Sequence, residues 1–169
     1  NQKGKLAARI GPDRRGKGKS IDRPSARLIL EAMQGKDMQF IGMHHCKLGV
    51  EEAKLLAEYA STMASLTSVS LLANNFDNET VSMLLKLKEE KPNLTTLCGL
   101  KPDQAEASFR GWGLTAQDAK LLAPEIAVNG SLTSLDVGGN SIGKEAALEL
   151  VSIFKEKQIC LLYTSDAAD

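Results

Sequence analysis

Hydrophobic and polar positions alternate along this chain in one recurring spacing, L-x-x-L-x-V-x-x-N-x-I. The clearest copy has Leu132, Leu135, Val137, Asn140 and Ile142 at these places. Alternation of this kind predicts a short strand that continues into a loop. The copies begin at Met38, Leu66, Gln104 and Leu132, and the third of these is the weakest match.

A segment with helical periodicity follows each copy. In the last segment Ala147, Leu150, Val151 and Phe154 lie at i, i+3, i+4 and i+7, which is one apolar face of a helix. We therefore predict four helices, over residues 51–60, 78–90, 116–128 and 144–157. Helical periodicity at 25–33 precedes the first strand, so we expect an earlier repeat before it.

The copies are regularly spaced. The starts at 38 and 66 differ by 28 residues, as do those at 104 and 132. A further start, LTTL at Leu94, also lies 28 residues after Leu66, but it breaks off before the copy at Gln104 begins. Strand, loop and helix at a fixed period predict an α/β solenoid.

These motifs resemble the leucine-rich repeats of the ribonuclease-inhibitor-like class. Asn74, Asn140 and Cys46 occupy the Asn/Cys position, where a side chain can bond the turning backbone. Trp112 stands there in the weak copy and departs from the pattern. The resemblance implies a horseshoe arc with parallel strands on the concave face and helices on the convex face.

The sequence predicts three regions: a basic, disordered leader over 1–24, an array of four to five repeats over 25–159, and a separate tail over 160–169. Within the array, the break near 94–103 predicts an irregular third repeat. Pro124 lies inside a predicted helix and is expected to kink or end it, because proline removes a backbone donor.

Charge separates the leader from the rest of the chain. Residues 1–27 carry a local charge of +7 and the remainder −7, so the net charge is zero. GPDRRGKG, at 11–18, has Gly18 where a phosphate-binding loop needs Ser or Thr, and no apolar strand precedes it. Without interleaved aromatic residues to stack on bases, the segment is better interpreted as a solvated arm than as a nucleic-acid site.

The tail, CLLYTSDAAD at 160–169, breaks the repeat pattern. Codons for it can be chosen so that they reproduce a transposon-based sequencing adapter read in frame. We therefore interpret 160–169 as adapter-derived, and expect the chain to be a fragment of a larger protein.

Cysteine usage favours a reducing compartment. Cys46, Cys98 and Cys160 are odd in number, widely spaced and without a CxxC pair. No apolar run is long enough to span a bilayer, so the prediction is a cytoplasmic protein.

Metal and catalytic sites are not predicted. His44, His45 and Cys46 are consecutive, but Cys46 holds a structural position and the chain has no third histidine, so we expect a structural cysteine beside surface histidines. The sequence has no G-x-S-x-G elbow and no evident catalytic triad. We expect neither an enzyme nor a cofactor, and no small-molecule substrate.

The predicted function is a protein–protein interaction module from a larger intracellular leucine-rich-repeat protein, with a protein partner on the concave face. The outward strand positions predicted to contact it are Phe40, Gly42, His44, Ser68, Ser70, Leu72, Ser108, Arg110, Ser134 and Asp136. Two alternatives remain open at this point. One is a small-GTPase regulator resembling Ran GTPase-activating proteins, and the other is contact with nucleic acid or an acidic surface through the leader.

Overall fold

A computed structural model describes residues 7–9, 21–157 and 160–162, with the side chains described over 21–157. Its contacts divide the chain after Gly99 into two compact units. In both units short strands alternate with helices, and the strands that neighbour each other run parallel.

The first unit contains three strands and three helices. In chain order these are β1 (Ala7–Arg9), α1 (Arg23–Ala32), β2 (Phe40–Gly42), α2 (Val50–Thr62), β3 (Ser68–Ser70) and α3 (Asn78–Glu90). Its sheet has the order β1-β2-β3.

The second unit contains three strands and two helices. These are β4 (Glu106–Ser108), α4 (Ala116–Val128), β5 (Ser134–Asp136), α5 (Lys144–Lys157) and β6 (Cys160–Leu162). Its sheet has the order β4-β5-β6.

Strand pairing confirms the period of 28 residues. Phe40 pairs with Ser68 in the first unit, and Glu106 pairs with Ser134 in the second. The α/β alternation with short parallel strands is compatible with a leucine-rich-repeat-like fold.

The asparagines of the repeat bind the backbone of the preceding loop. Asn74 Oδ1 accepts hydrogen bonds from the backbone N–H groups of Cys46 (3.1 Å) and Leu48 (3.0 Å). Its Nδ2 donates to the carbonyls of Met43 (2.9 Å) and Leu71 (2.7 Å). One buried side chain thus satisfies four polar backbone groups that the turning chain leaves without sheet partners.

Asn140 has the same role in the second unit. Its Oδ1 accepts from Leu114 N–H at 3.0 Å, and its Nδ2 donates to the carbonyls of Phe109 and Val137. The role inferred for the Asn/Cys position from the sequence is therefore confirmed at both asparagines.

The core is aliphatic, as a chain with 4% aromatic residues requires. Aliphatic repeat positions are buried, and five of them have no exposed surface: Ile41, Leu48, Leu66, Leu71 and Leu114. Burial of such side chains is worth roughly 1.5–3 kcal/mol each and provides the main stabilisation of the fold.

The helices start at polar residues that satisfy their first N–H groups. Asp22 and Asp77 accept hydrogen bonds from the backbone of Ser25 and Thr80. At α2 the carboxylate of Glu52 accepts from Gly49 N–H at 3.0 Å, and at α4 that of Asp118 accepts from Thr115 N–H at 2.8 Å.

Two helix predictions need correction. The first helix begins at Arg23 rather than at 25, because Asp22 caps it and Pro24 suits its first turn. The helix that contains Pro124 does not end there: α4 continues to Val128. Pro124 is on the exposed side of α4, as is Lys120, whose carbonyl is the one that a proline cannot bond.

The terminal regions are described in part. Ala7–Arg9, within the predicted leader, pairs in parallel with β2, while residues 1–6 and 10–20 lie outside the described residues. Cys160–Leu162, within the tail interpreted as adapter-derived, pairs with β5, and 163–169 lie outside the described residues.

Candidate interaction face

The ten residues predicted to face a partner fall into two groups, because the strands of the two units differ in exposure. On β2 and β3 the exposed fraction is low, whereas β4 exposes Glu106 and Ser108 on either side of the buried Ala107. The part of the predicted face that is open to solvent therefore lies on β4 and β5.

At four positions on β2 and β3 or just after them, the predicted exposure is wrong. Gly42, His44 and Ser70 are buried, and Leu72 is completely buried, at 0% exposure. Phe40 and Ser68 are half-buried. Leu72 is part of the core and cannot be the surface anchor that its strand position suggested.

The chain after α3 explains part of this burial. Leu94–Leu97 runs alongside β3: Thr96 forms a parallel bridge with Ser68, and Val69 N–H and Leu71 N–H donate to the carbonyls of Thr96 and Leu97. The next bridge, from Ser70 to Cys98, is antiparallel.

Gly99 lies close to Ser70. It has a φ of +76°, and a Cβ built on it would lie 3.0 Å from Ser70 Cβ. The segment 96–99 thus lies against the side of β3 that would otherwise be open.

His44 and Cys46 are enclosed at the end of β2. His44 Nδ1 lies 3.4 Å from Ser70 Oγ, and Cys46 Sγ lies 3.4 Å from the carbonyl of His44. Burial raises the pKa of the Cys46 thiol to about 11, so the thiol stays protonated and unreactive at neutral pH. Cys46 is structural as predicted, whereas the expectation of a surface position for His44 is wrong.

The open face consists of five side chains, of which four are on β4 and β5 and one lies two residues after the end of β4. Glu106, Ser108 and Arg110 are exposed, and Ser134 and Asp136 are half-buried. Ser108 pairs with Asp136 and Glu106 pairs with Ser134, so these four lie on two adjacent strands. We call these five residues the β4–β5 face.

Glu106 was missed by the sequence reasoning. It lies two residues before Ser108, so the strand alternation that selected Ser108 and Arg110 also selects Glu106. The weak match of the copy at Gln104 hid this signal.

The polar groups of the β4–β5 face are held in part by the backbone. Asp136 Oδ1 accepts from Gly138 N–H at 2.9 Å, and the carbonyl of Glu106 accepts from Gln104 Nε2 at 2.7 Å. Beneath the face, the Phe109 ring meets that of Trp112 edge-on, with centroids 5.1 Å apart. Trp112 itself is half-buried.

The part of the chain that the structure describes forms neither a metal-ligating cluster nor a membrane-spanning helix. Over 21–157 no group of three His, Cys, Asp or Glu side chains could hold a metal ion. No helix among the described residues is both long enough and apolar enough to cross a membrane.

Comparison with known proteins gives little further information. No family model matches the chain, and no curated protein matches it. Among solved structures, leiomodin-1 actin-binding site 2 is similar over 96% of this chain and 72% of that chain, at 12% sequence identity and a TM-score of 0.36. A TM-score this low supports no inference about fold or partner.

Proposed function

We propose that this chain is a non-catalytic protein-interaction module of the ribonuclease-inhibitor-like leucine-rich-repeat class. The 28-residue pairing and the asparagines that bind the preceding loop support this class. In this proposal the repeats form a solenoid whose strands line the concave face.

The partner is a protein that docks on the β4–β5 face. The observation that supports this placement is the row of exposed side chains on β4, set against the burial of the matching positions on β2 and β3. Arg110 is the residue of this face best suited to anchor a partner, because arginine is enriched among residues that dominate binding energy.

A cytoplasmic location is part of the proposal. Cys46 and Cys98 are buried and are not joined to each other in a disulfide, which is usual for proteins of reducing compartments.

Site-specific photo-crosslinking tests the proposed face. A benzophenone-bearing residue that replaces Ser108 is expected to crosslink to the protein partner. The same residue in place of Ser152 is expected to form no such crosslink. The two serines are matched, since both are exposed and Ser152 lies on α5. Equal crosslinking from both positions, or none from Ser108, would contradict the proposed face.

A further inference from the structure

The loop after β4 repeats backbone features of the loop after β2, which begins 66 residues earlier. His45 and Gly111 correspond and have φ of +55° and +65°. Lys47 and Gly113 correspond in the same way, with φ of +53° and +71°. In each loop a backbone N–H donates to the asparagine of the next repeat at 3.0 Å. Residues of the two loops can therefore be compared position by position.

Two side chains that are enclosed in the first loop have counterparts that reach solvent in the second. His44 is 4% exposed and Cys46 is 0% exposed. Their counterparts are Arg110, which is exposed, and Trp112, which is half-buried. An indole is much larger than a thiol, and tryptophan is seldom enclosed completely. The second loop thus presents to solvent a cation and an aromatic ring at places that are enclosed in the first.

Arg110 and Trp112 lie in one tight turn. Trp112 N–H donates to the carbonyl of Phe109 at 3.2 Å, and Gly111 provides the positive φ within the turn. Two residues of chain span at most about 7 Å, so the two side chains start close together. Apart from the adjoining residues, no atom of the described chain lies within 4 Å of where a Cβ would stand on Gly111 or Gly113. The backbone on both sides of Trp112 is open to a partner.

The guanidinium of Arg110 can accept an anion from outside. Over residues 21–157 the ion pairs join other side chains, and Arg110 takes part in none of them. The same face carries the carboxylates of Glu106, which is exposed, and Asp136, which is half-buried. A polyanion such as RNA would bring further phosphates close to both carboxylates and be repelled. A single carboxylate can bind Arg110 alone.

We propose that Arg110 and Trp112 anchor the protein partner by binding a segment in which an acidic residue adjoins a large apolar one. The carboxylate pairs with the Arg110 guanidinium, and the apolar side chain packs on the exposed part of the Trp112 ring. Arginine and tryptophan are among the residue types that most often dominate binding energy at interfaces. The proposal rests on the proposed function, because it names what the partner presents to the β4–β5 face and the loop after β4.

Three blocked dipeptides test the proposal. They are acetyl-Asp-Phe-amide, acetyl-Asn-Phe-amide, which lacks the charge, and acetyl-Asp-Ala-amide, which lacks the ring. Each is titrated into the isotope-labelled chain while the amide signals of Gly111 and Gly113 are followed by NMR. Acetyl-Asp-Phe-amide is expected to shift both signals until they saturate, with an affinity about fivefold above that of either analogue.

Two variants separate the two contributions. In Arg110→Gln the Asp-Phe and Asn-Phe dipeptides are expected to bind equally, because the pair with the guanidinium is lost. In Trp112→Ser the Asp-Phe and Asp-Ala dipeptides are expected to bind equally, because the ring contact is lost. Arg110 is exposed, so its substitution tests the proposal even if Trp112→Ser does not fold. The matched control is Lys155→Gln, which removes an exposed cation from α5 and should keep the wild-type preferences.

Three results would overturn the proposal. Acetyl-Asp-Phe-amide could shift neither glycine signal at its highest soluble concentration, both analogues could bind as well as it does, or Arg110→Gln could keep the preference for Asp. Tighter binding of oligothymidylate at the same two glycines would overturn it in favour of single-stranded nucleic acid.

Crosslinking from Ser108 separates this failure from failure of the proposed function. If Ser108 crosslinks to protein while the dipeptides do not bind, the anchor is overturned and the interaction module stands. Absence of crosslinks from Ser108 contradicts the interaction module whatever the dipeptides do.

Discussion

Single side chains in this structure satisfy backbone groups that belong to another repeat. Asn74 is the clearest case: it is 6% exposed and bonds four backbone groups, three of them in the preceding loop. A buried donor or acceptor that loses its partner costs about 1–3 kcal/mol. The stability of each loop therefore depends on one residue that lies 26 to 31 positions later in the chain.

Asn74→Ala is expected to lower the free energy of unfolding by about 2–4 kcal/mol, because several buried backbone groups lose their partner together. Urea unfolding followed by circular dichroism measures the change. Asn75→Ala is the matched control, since Asn75 is the exposed neighbour, and its effect should stay within about 0.5 kcal/mol. Equal effects of the two substitutions would contradict the role given to Asn74.

Gly99→Ala is expected to destabilise the first unit more than Gly35→Ala. Both glycines have φ near +70°, at +76° and +71°, so both substitutions strain the backbone by about 1 kcal/mol. Only at Gly99 would the new Cβ meet a neighbour, Ser70, at 3.0 Å, whereas nothing lies within 4 Å at Gly35. The difference between the two losses in thermal stability measures the closeness of the segment 96–99 to β3, and a zero difference would show that the contact is absent.

Between elements, the start of α2 is tied to α1 by one carboxylate. Glu52 is 3% exposed, and its Oε2 lies 2.7 Å from Arg23 Nε and 3.0 Å from Gly49 N. Burial acts to raise the pKa of Glu52, but the hydrogen bonds from Gly49 and Arg23 outweigh it, so the pKa lies below its ordinary value of 4.5. The folded state therefore binds a proton at Glu52 less readily than the unfolded state does.

This depressed pKa predicts how acid affects stability. The contribution of Glu52 is complete above pH 4.5 and is lost as the pH falls through the lower folded-state value. Glu52→Gln should cost about 1 kcal/mol at neutral pH, because Arg23 is half exposed and the pair is partly screened, and it should flatten the loss of stability in acid.

Urea unfolding over a series of pH values measures both effects. Glu51→Gln is the control, because Glu51 is exposed and contacts only Lys54, at 3.4 Å, among the ion pairs of the described residues. A Glu52→Gln variant with the pH dependence of the wild type would rule out the proposed coupling.

The elements themselves were largely predictable from periodicity. The helices predicted at 78–90, 116–128 and 144–157 match α3, α4 and α5. They were predictable because apolar residues recur with helical spacing along each segment. The start of α1 was misplaced because Asp22 caps the helix ahead of its first apolar residue, where apolar periodicity gives no signal. Pro124 was misjudged because its cost depends on which side of the helix it lies, and the sequence alone does not give that side.

The exposed face was less predictable than the elements that carry it. Alternation along a strand separates inward from outward side chains, and it correctly placed Ser108 and Arg110 outside. It cannot show that a later segment lies over an outward position, as 96–99 does at Ser70. Leu72 and His44 lie two residues beyond the ends of their strands, where strand alternation no longer determines exposure, and both are buried.

For the whole molecule, the division after Gly99 predicts that loss of an asparagine destabilises only the unit that contains it. Asn140→Ala is expected to speed amide hydrogen exchange in residues 109–114, whose backbone groups Asn140 bonds. Asn74→Ala should instead speed exchange in 43–48. Mass spectrometry of peptides resolves these segments, and faster exchange throughout the chain in either variant would show that the two units open together.

Each of these asparagines bonds the loop of the repeat before its own, so the dependence between repeats runs in one direction along the chain. This direction affects how an array of such repeats can grow. A gene duplication that copies one 28-residue segment adds an asparagine that bonds the loop of the segment before the new copy, not the loop of the new copy itself. A newly added copy thus helps its predecessor at once and relies on its successor for its own loop. Growth by duplication is then easiest within an array, where every copy already has a neighbour on both sides.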